Sequence, residues 1–573
     1  MKHARTLCLV VVGCATALTT QAAPSGPCEQ IVTACKDAGF VQGGATKGDG
    51  IRINCIDPIM QGKPATRNRT TPLPSVDPDI VAACKSANPD FGQAKAQRAE
   101  ATVPSALPPM QLAPGTRPNI IFVLTDDLAW NLVQYMPHVL AMQREGATFA
   151  NYFVTDSLCC PSRSSIFTGR FPHDTGIFRN TGKDGGYLAF RNRGHEQATF
   201  AAALSAAGYR TAMLGKYLNG YLPAQHPPAP GWSTWAVAGS GYAGFHYSLN
   251  QDGRVVRYGD KPADYLTDVL SGLAVRFIKQ STGQPFFMEV ATFAPHAPYT
   301  PAPRDADAFP SVRAPRTPAF DAAPDADATK WLSTHPQLSD ADIARIDRDF
   351  RKRAQSVLAI DAMIGELQAA VAAIGAQNNT YLVFSSDNGY HMGEHRLMPG
   401  KMTAFDTDIH VPLIVTGPGV PAGLALDEIV ENVDLCSTFT ELGGASAPAS
   451  VDGRSLVALL HGQKVPQWRT LALVEHRGPN KDPTDPDAPS PRGGNPTTYE
   501  AIRSRTSVYV EYADGEREYH DRVTDPQELR NTYSSLPADK GTALGAMLAA
   551  MKRCRGDASC WEAARARATA APK

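Results

Sequence analysis

No sign of charge predominates in this sequence: 55 Lys and Arg stand against 56 Asp and Glu, a net charge of −1 over 573 residues. That balance excludes a global basic face for nucleic acid or an anionic membrane, so any anion recognition has to be local. Beyond the N-terminal segment no apolar run reads as long enough to span a bilayer, so no transmembrane segment is expected. Paired Cys-x2-Cys spacing is missing as well, and with it the ligand pattern of a four-cysteine zinc site. What remains is a chain that is 43% hydrophobic. It can bury a substantial core and is long enough for several average domains, or for one large α/β enzyme with appendages.

Lys2, His3 and Arg5, the apolar run Leu7 to Leu18 and then Gln21-Ala22-Ala23 read as a secretory signal over residues 1–23. The expected location is secreted or periplasmic. A second reading takes Val11-Val12-Gly13-Cys14 as a lipoprotein box that leaves a lipidated Cys14. Of eleven cysteines, Cys28, Cys35, Cys55 and Cys84 cluster early, Cys554 and Cys560 lie at the far end, and Cys159, Cys160 and Cys436 remain in the mature chain. Export makes the two outer groups disulfide candidates. If Cys28 to Cys35 is helical, the two are about 10 Å apart along the axis and cannot bond to each other. Each then pairs with Cys55 or Cys84, and two connectivities stay open. Residues 24–95 thus read as a small disulfide-stapled module, and residues 96–117, with four prolines, as its linker.

From residue 118 to 465 the pattern alternates strand and helix, the signature of a mostly parallel sheet sandwiched by helices. Asn119 to Leu124 is a buried-strand run followed by Thr125-Asp126-Asp127, and Tyr381 to Ser386 repeats it, ending in Asp387-Asn388-Gly389. Ligand sites of open α/β sheets lie at such strand ends. Two parallel strands would bring Asp126, Asp127, Asp387 and Asn388 to one edge, a hard oxygen set suited to Ca²⁺, with Mg²⁺ as the alternative. The plain reading of either pair by itself is a helix cap or turn. Glu196 to Ala207 reads as a helix, Arg210 to Leu214 as a strand leading to Gly215-Lys216, and Phe286 to Ala291 as a strand followed by Ala294-Pro295-His296. Ser339 to Ile374 is a capped helix; His391, His395 and Lys401 follow Asn388, and Asp408 to Val415 reads as a strand.

The stretch Ser157 to Arg170 places Cys159 and Cys160 ahead of Pro161-Ser162-Arg163. Proline suits a first helical turn, and the helix N-terminus with Arg163 and Arg170 suggests an anion pocket. This motif resembles Cys-x-Pro-Ser-Arg of the type I, formylglycine-dependent sulfatases of the alkaline phosphatase superfamily. Arg117 to Asp127, Gly215-Lys216, Ala294-Pro295-His296, Ser386 to Gly389 and Lys401 follow that family's order, and Gly215 to Asn219 with the doubled cysteine is most similar to the N-acetylglucosamine-6-sulfatases. Many members carry a histidine two residues after the motif lysine; here it is Leu218.

The resemblance implies sulfuric ester hydrolysis on an alcohol, sugar or aryl sulfate. Cys159 would be converted to formylglycine by a formylglycine-generating enzyme and would, as the hydrated aldehyde, attack sulfur. A divalent metal would be held by Asp126, Asp127, position 159, Asp387 and Asn388. Arg163, Lys216 and Lys401 would neutralise the sulfuryl oxygens, and His296 or a lysine would protonate the departing alcohol. Two alternatives stand beside it: a phosphonate monoester or phosphodiester hydrolase of the same superfamily, and a non-catalytic binder of sulfated glycan. Residues 466–573 read as a C-terminal subdomain, a small antiparallel sheet with a helix near Leu544 to Lys552, interrupted by the polar, Pro- and Gly-rich stretch Gly478 to Pro496 that suggests a flexible loop at a pocket rim.

Overall fold

The computed structural model describes residues 27–40, 51–61, 72–87 and 117–565. The segment expected to be a secretory signal, the alternative lipoprotein box and most of the expected linker therefore lie outside the described residues. The chain divides into two compact units, Met1–Leu107 and Pro108–Lys573. In the first, helices Pro27–Asp37 and Pro78–Ala87 and a turn of wide helix at Ile51–Ile56 enclose Ile31, Phe40 and Met60. Disulfides join Cys28 to Cys84 and Cys35 to Cys55, one of the two pairings that helical spacing leaves open. A unit this small buries little apolar surface, and cross-links that limit its unfolded ensemble supply the difference.

The second unit is organised by a ten-stranded sheet. Its strands are β1 Asn119–Thr125, β2 Ala147–Phe153, β3 Arg210–Lys216, β4 Thr234–Ala238, β5 Ser248–Gln251, β6 Arg254–Arg257, β7 Phe286–Ala291, β8 Thr380–Ser386, β9 Leu413–Thr416 and β10 Leu424–Glu431. The order is β10-β2-β9-β8-β1-β7-β3-β4-β5-β6. β8, β1, β7, β3 and β4 run parallel, while β9 and β5 are antiparallel to both of their neighbours. β1 is buried throughout because both faces are covered: Ile120, Phe122 and Leu124 enter one core, Ile121 and Val123 the other.

Helices cover the two faces. The long helix Asp340–Ala373 starts at Ser339, whose Oγ accepts from Asp342 N while Asp342 returns to Ser339 N. It is long and apolar enough to cross a membrane by length and composition, which the sequence reading passed over. Its Ile346, Phe350, Val357, Ile360 and Ile364 are instead buried in the core behind β1, and Arg353 and Asp361 are buried with them. Two expectations need correction. The helix foreseen from Glu196 begins only at Phe200, because Thr199 caps it by accepting from Ala202 N. The segment from Asp408 starts in the short helix Asp406–Ile409, and the strand opens at Leu413, after Pro412.

A separate antiparallel sheet, β11 Ala472–His476, β12 Tyr499–Arg503, β13 Ser507–Tyr512 and β14 Arg517–Asp521, carries the helix Ala538–Met551 on Leu473, Ile502 and Tyr509. Cys554 and Cys560 form a disulfide just after it.

Glu289 of β7 is fully buried, neither carboxylate oxygen has a hydrogen-bond partner, and burial, eased by Arg163, pushes its carboxyl from 4.5 up to about 8. A raised carboxyl means that the folded state holds the proton more tightly than the unfolded chain, so this group costs stability as pH rises from 4.5 through about 8. Glu289→Gln should therefore match wild type near pH 4.5 and exceed it by a few kcal/mol at pH 8 to 9. Thermal unfolding across that range checks this; a gap that does not widen with pH contradicts it.

Candidate active site

The register of the central strands builds the site. β1 and β8 are adjacent and parallel with Thr125 beside Ser386, so Asp126 and Asp127 emerge next to Asp387 and Asn388. β7 pairs with the other side of β1, and its following loop delivers His296; β3 lies beyond and ends on Lys216. Gly215 packs against β7 so closely that a Cβ would sit 1.9 Å from Ala291 O, which explains glycine before that lysine. Asp127 has φ 64°, a left-handed backbone rare for a side-chain-bearing residue, and buried Arg353 holds it there by donating to its carbonyl and to Pro295 O.

Opposite these ends stands the helix Cys159–Thr168, entered from Leu158 in extended backbone. Cys159 points into the cluster: its Sγ donates to Asp126 Oδ1 at 3.1 Å and accepts from Lys401 Nζ at 2.9 Å. Arg163, one turn later, donates through Nε to Asp387 Oδ2 (2.8 Å) and through Nη1 to Lys216 O (2.9 Å), with Nη2 4.0 Å from Asp126 Oδ1. Arg170 does not join it. It sits at the other end of the helix, beyond Gly169, and donates to Asp174 O.

Lys216 Nζ pairs with Asp126 Oδ2 at 2.6 Å, and Lys401 Nζ with Asp127 Oδ1 at 2.6 Å. Asn388 Nδ2 donates to Asp127 Oδ1, and Asp127 N donates to Asp387 Oδ1. The structure thus brings the residues proposed from the sequence for catalysis and for the metal into one buried cluster and leaves Arg170 outside it. Leu218, where many members have histidine, packs in the apolar core. His391 is held by Asp408 and Gly493 O, and His395 stacks on Phe405 at 3.9 Å between centroids.

Two residues escaped the sequence reading. Asp487, from the polar stretch between β11 and β12, places Oδ1 2.6 Å from His296 Nε2 and 2.8 Å from Lys401 Nζ. Asn180 donates to Asp487 Oδ2 at 2.6 Å and accepts from Cys160 N at 3.0 Å.

The electrostatics follow from these pairs. Burial works against a charged imidazole, but Asp127 and Asp487 outweigh it and raise His296 to about 9. Burial likewise opposes the charge on Lys216 and Lys401, and Asp126 for the first and Asp127 with Asp487 for the second hold both ammoniums well above their ordinary value. Burial, then Asp126, pushes the Cys159 thiol well up. The cluster is a fixed set of protonated donors facing carboxylates around a neutral sulfur.

One oxygen, nitrogen or sulfur from each of Asp126, Asp127, Cys159 and His296 lies within 4.8 Å of the others. Asp127 Oδ2 and Asn388 Oδ1 are buried without hydrogen-bond partners. Buried orphan oxygens beside carboxylates are what a hard divalent cation requires, and the residues present fit one.

Comparison with known proteins now decides the family. The Sulfatase family model matches residues 118–445, and the model described as N-sulphoglucosamine sulphohydrolase, C-terminal, matches 393–549. The chain belongs to the sulfatase family. It is 32% identical over 479 residues to N-acetylglucosamine-6-sulfatase of Homo sapiens, covering 78% of this chain and 86% of that protein. An extracellular sulfatase SULF-1 homolog of Drosophila melanogaster is 35% identical over 375 residues, 63% of this chain and 33% of that protein. Among solved structures, a protein in complex with its substrate D-glucosamine-2-N,6-O-disulfate superposes with a TM-score of 0.62 at 24% identity, over 76% of this chain and 97% of that one, a likeness of fold. This sulfatase is accordingly an enzyme, a sulfuric ester hydrolase, and its family implies a metal and a formylglycine at the centre described above.

Proposed function

We propose that this sulfatase works outside the cytoplasm and removes sulfate from a sulfated amino sugar or a glycan carrying one, with Cys159 as the position oxidised to formylglycine by a maturing enzyme and Ca²⁺, or else Mg²⁺, as its metal. Relatives named for N-acetylglucosamine 6-sulfate and for an extracellular role support the substrate and the location. The observation that carries the reading is the setting of Cys159: its sulfur lies between Asp126 and Lys401, yet it is held neutral. A thiol nucleophile needs a depressed pKa. This one has the opposite environment, which suits a side chain converted to something else before it acts.

The metal would be held by Asp126, Asp127, Asp387, Asn388 and position 159. When bound it supplies Lewis-acid polarisation at the reacting oxygens. The chain's own groups do the rest. Arg163, Lys216 and Lys401 present N–H donors to the sulfuryl oxygens, the kind of fixed positive array that favours charge developing on them. His296, held protonated at neutral pH in the resting enzyme by Asp127 and Asp487, is placed to give Nε2–H to the departing sugar oxygen. Residues 118–465 form the catalytic part in this reading, residues 466–573 the subdomain that closes it, and residues 24–95 an appendage.

Release of inorganic sulfate from N-acetylglucosamine 6-sulfate tests the function, with a phosphodiester of the same leaving group run beside an aryl sulfate. Turnover of the sulfates is expected; a higher kcat/KM for the phosphodiester contradicts it. The metal set has its own test. Asp387→Ala removes a carboxylate and leaves Asp127 N and Arg163 Nε without their acceptor. The variant should purify with far less bound metal and lose at least about 100-fold in kcat. Metal content equal to wild type, measured by elemental analysis, removes Asp387 from the ligands whatever the activity.

A further inference from the structure

Asp487 occupies the ground a sulfate group needs. Its Oδ1 is shared by His296 Nε2 and Lys401 Nζ, and its Oδ2 takes a hydrogen bond from Asn180. An oxyanion among convergent cationic N–H donors is what carboxylates and sulfate monoesters have in common. Cys159, Lys216, His296 and Lys401 are each at most 4% exposed, so no ester reaches position 159 with every side chain where it is.

The group free to leave is identified by how it is held. His296 and Lys401 are tied to Asp127 at the end of β1. Asp487 belongs to the connection between β11, ending at His476, and β12, starting at Tyr499. Its neighbours Pro486 and Ala488 are exposed, and within residues 481–490 Asp485 and Asp487 are the buried pair. Polar contacts anchor this connection, Thr181 Oγ1 to Asp482 at 2.6 Å, Asn180 to Asp485, Met398 N to Arg492 O and His391 to Gly493 O, and within it Asn480 and Asp487 N donate to Asp485. A strap fastened by carboxylate pegs exchanges those bonds for water as it lifts, with little apolar surface to expose.

We propose that the connection from Asn480 to Asn495 is a strap across the reaction centre and that Asp487 is an internal competitor, holding the sulfate subsite until a sulfate ester displaces it. The inference rests on the sulfatase reading and on the roles given to His296 and Lys401. In the free enzyme the peg neutralises two buried cations; in turnover the ester takes its place, and after the reaction the peg competes with product sulfate for the same donors.

Steady-state kinetics with 4-nitrophenyl sulfate, and inhibition by inorganic sulfate, test it in the full-length matured enzyme. Asp487→Asn keeps the shape and removes the competing charge; KM and the sulfate inhibition constant should both fall about tenfold. Asp485→Asn loosens the peg from two residues away and should shift both constants in the same direction by less. Constants unchanged or raised in these variants overturn the inference, as does a tenfold loss of kcat at an unchanged inhibition constant, which would make Asp487 a positioning partner of His296. Should Asp487→Asn fail to fold, Asp485→Asn decides alone. Wild type without sulfate-ester turnover would refute the sulfatase reading; wild-type turnover with unaltered constants in the variants refutes only the strap.

Discussion

Alanine at position 159 abolishes turnover, and alanine at position 160 leaves most of it: that is the expected outcome of separating the two adjacent cysteines. The side chain of Cys159 faces Asp126 and Lys401. Cys160 is the second residue of the same helix and is turned into the apolar core that also holds Ile166 and Phe167, where burial pushes its thiol to about 12. Alanine at 159 cannot be converted to formylglycine, so the proposed attacking group is lost, and Arg163, Lys216 and Lys401 without it retain binding alone. Loss of at least about 10⁴-fold in kcat is expected there. At 160 the change is a small packing defect of about 1 kcal/mol with the motif intact. Tandem mass spectrometry of the tryptic peptide ending at Arg163 provides a readout independent of activity. An aldehyde at 160, or two unmodified thiols in fully active enzyme, would overturn the assignment.

Much of this centre is legible in the sequence because its residues close regular elements. Asp126, Asp127, Asp387 and Asn388 follow apolar runs that had to be buried strands, and two such strands paired in parallel leave their ends at one edge. Lys216 and His296 follow runs of the same kind. Where regularity stops, legibility stops. Asp487 lies in a stretch rich in Pro and Gly, and it is directed inward by partners distant in the chain, Asn180, His296 and Lys401. Arg353 follows Arg351 and Lys352 on a helix and reads as another solvated charge; that it reaches the carbonyl of Asp127 depends on where the helix packs. Arg170 shares a motif with Arg163, which suggests a common anion pocket, but a helix from Cys159 to Thr168 puts the two at opposite ends. The pairing of Cys28 with Cys84 rather than Cys55 is likewise a matter of fold, since spacing excludes only the pair within the helix.

Arg163 should prove the least replaceable side chain after Cys159. It is fully buried; Nε donates to the carboxylate of Asp387 and Nη1 to the carbonyl of Lys216, while Nη2 has no hydrogen-bond partner and lies 4.0 Å from Asp126. That arrangement needs a planar fork, so Arg163→Lys is not conservative here: one ammonium cannot reach Asp387 and the Lys216 carbonyl while still offering a donor toward the reacting oxygens. Arg163→Met goes further and leaves Asp126 and Asp387 as buried carboxylates short of one cation. Breaking a buried pair from one side costs about 3–5 kcal/mol, a large share of a domain's stability. Both variants should lose at least about 10³-fold in kcat/KM, and Arg163→Met should also unfold at markedly lower temperature. Adding Asp387→Asn to Arg163→Met removes the orphaned charge and should return part of the lost unfolding temperature while returning no activity. Because Asp387 is itself a proposed metal ligand, that recovery tests the ion pair alone, and the part Arg163 plays in the reaction rests on Arg163→Lys. Near-wild-type kcat/KM in Arg163→Lys would show that charge alone suffices at this position and that the fork contributes nothing to the chemistry.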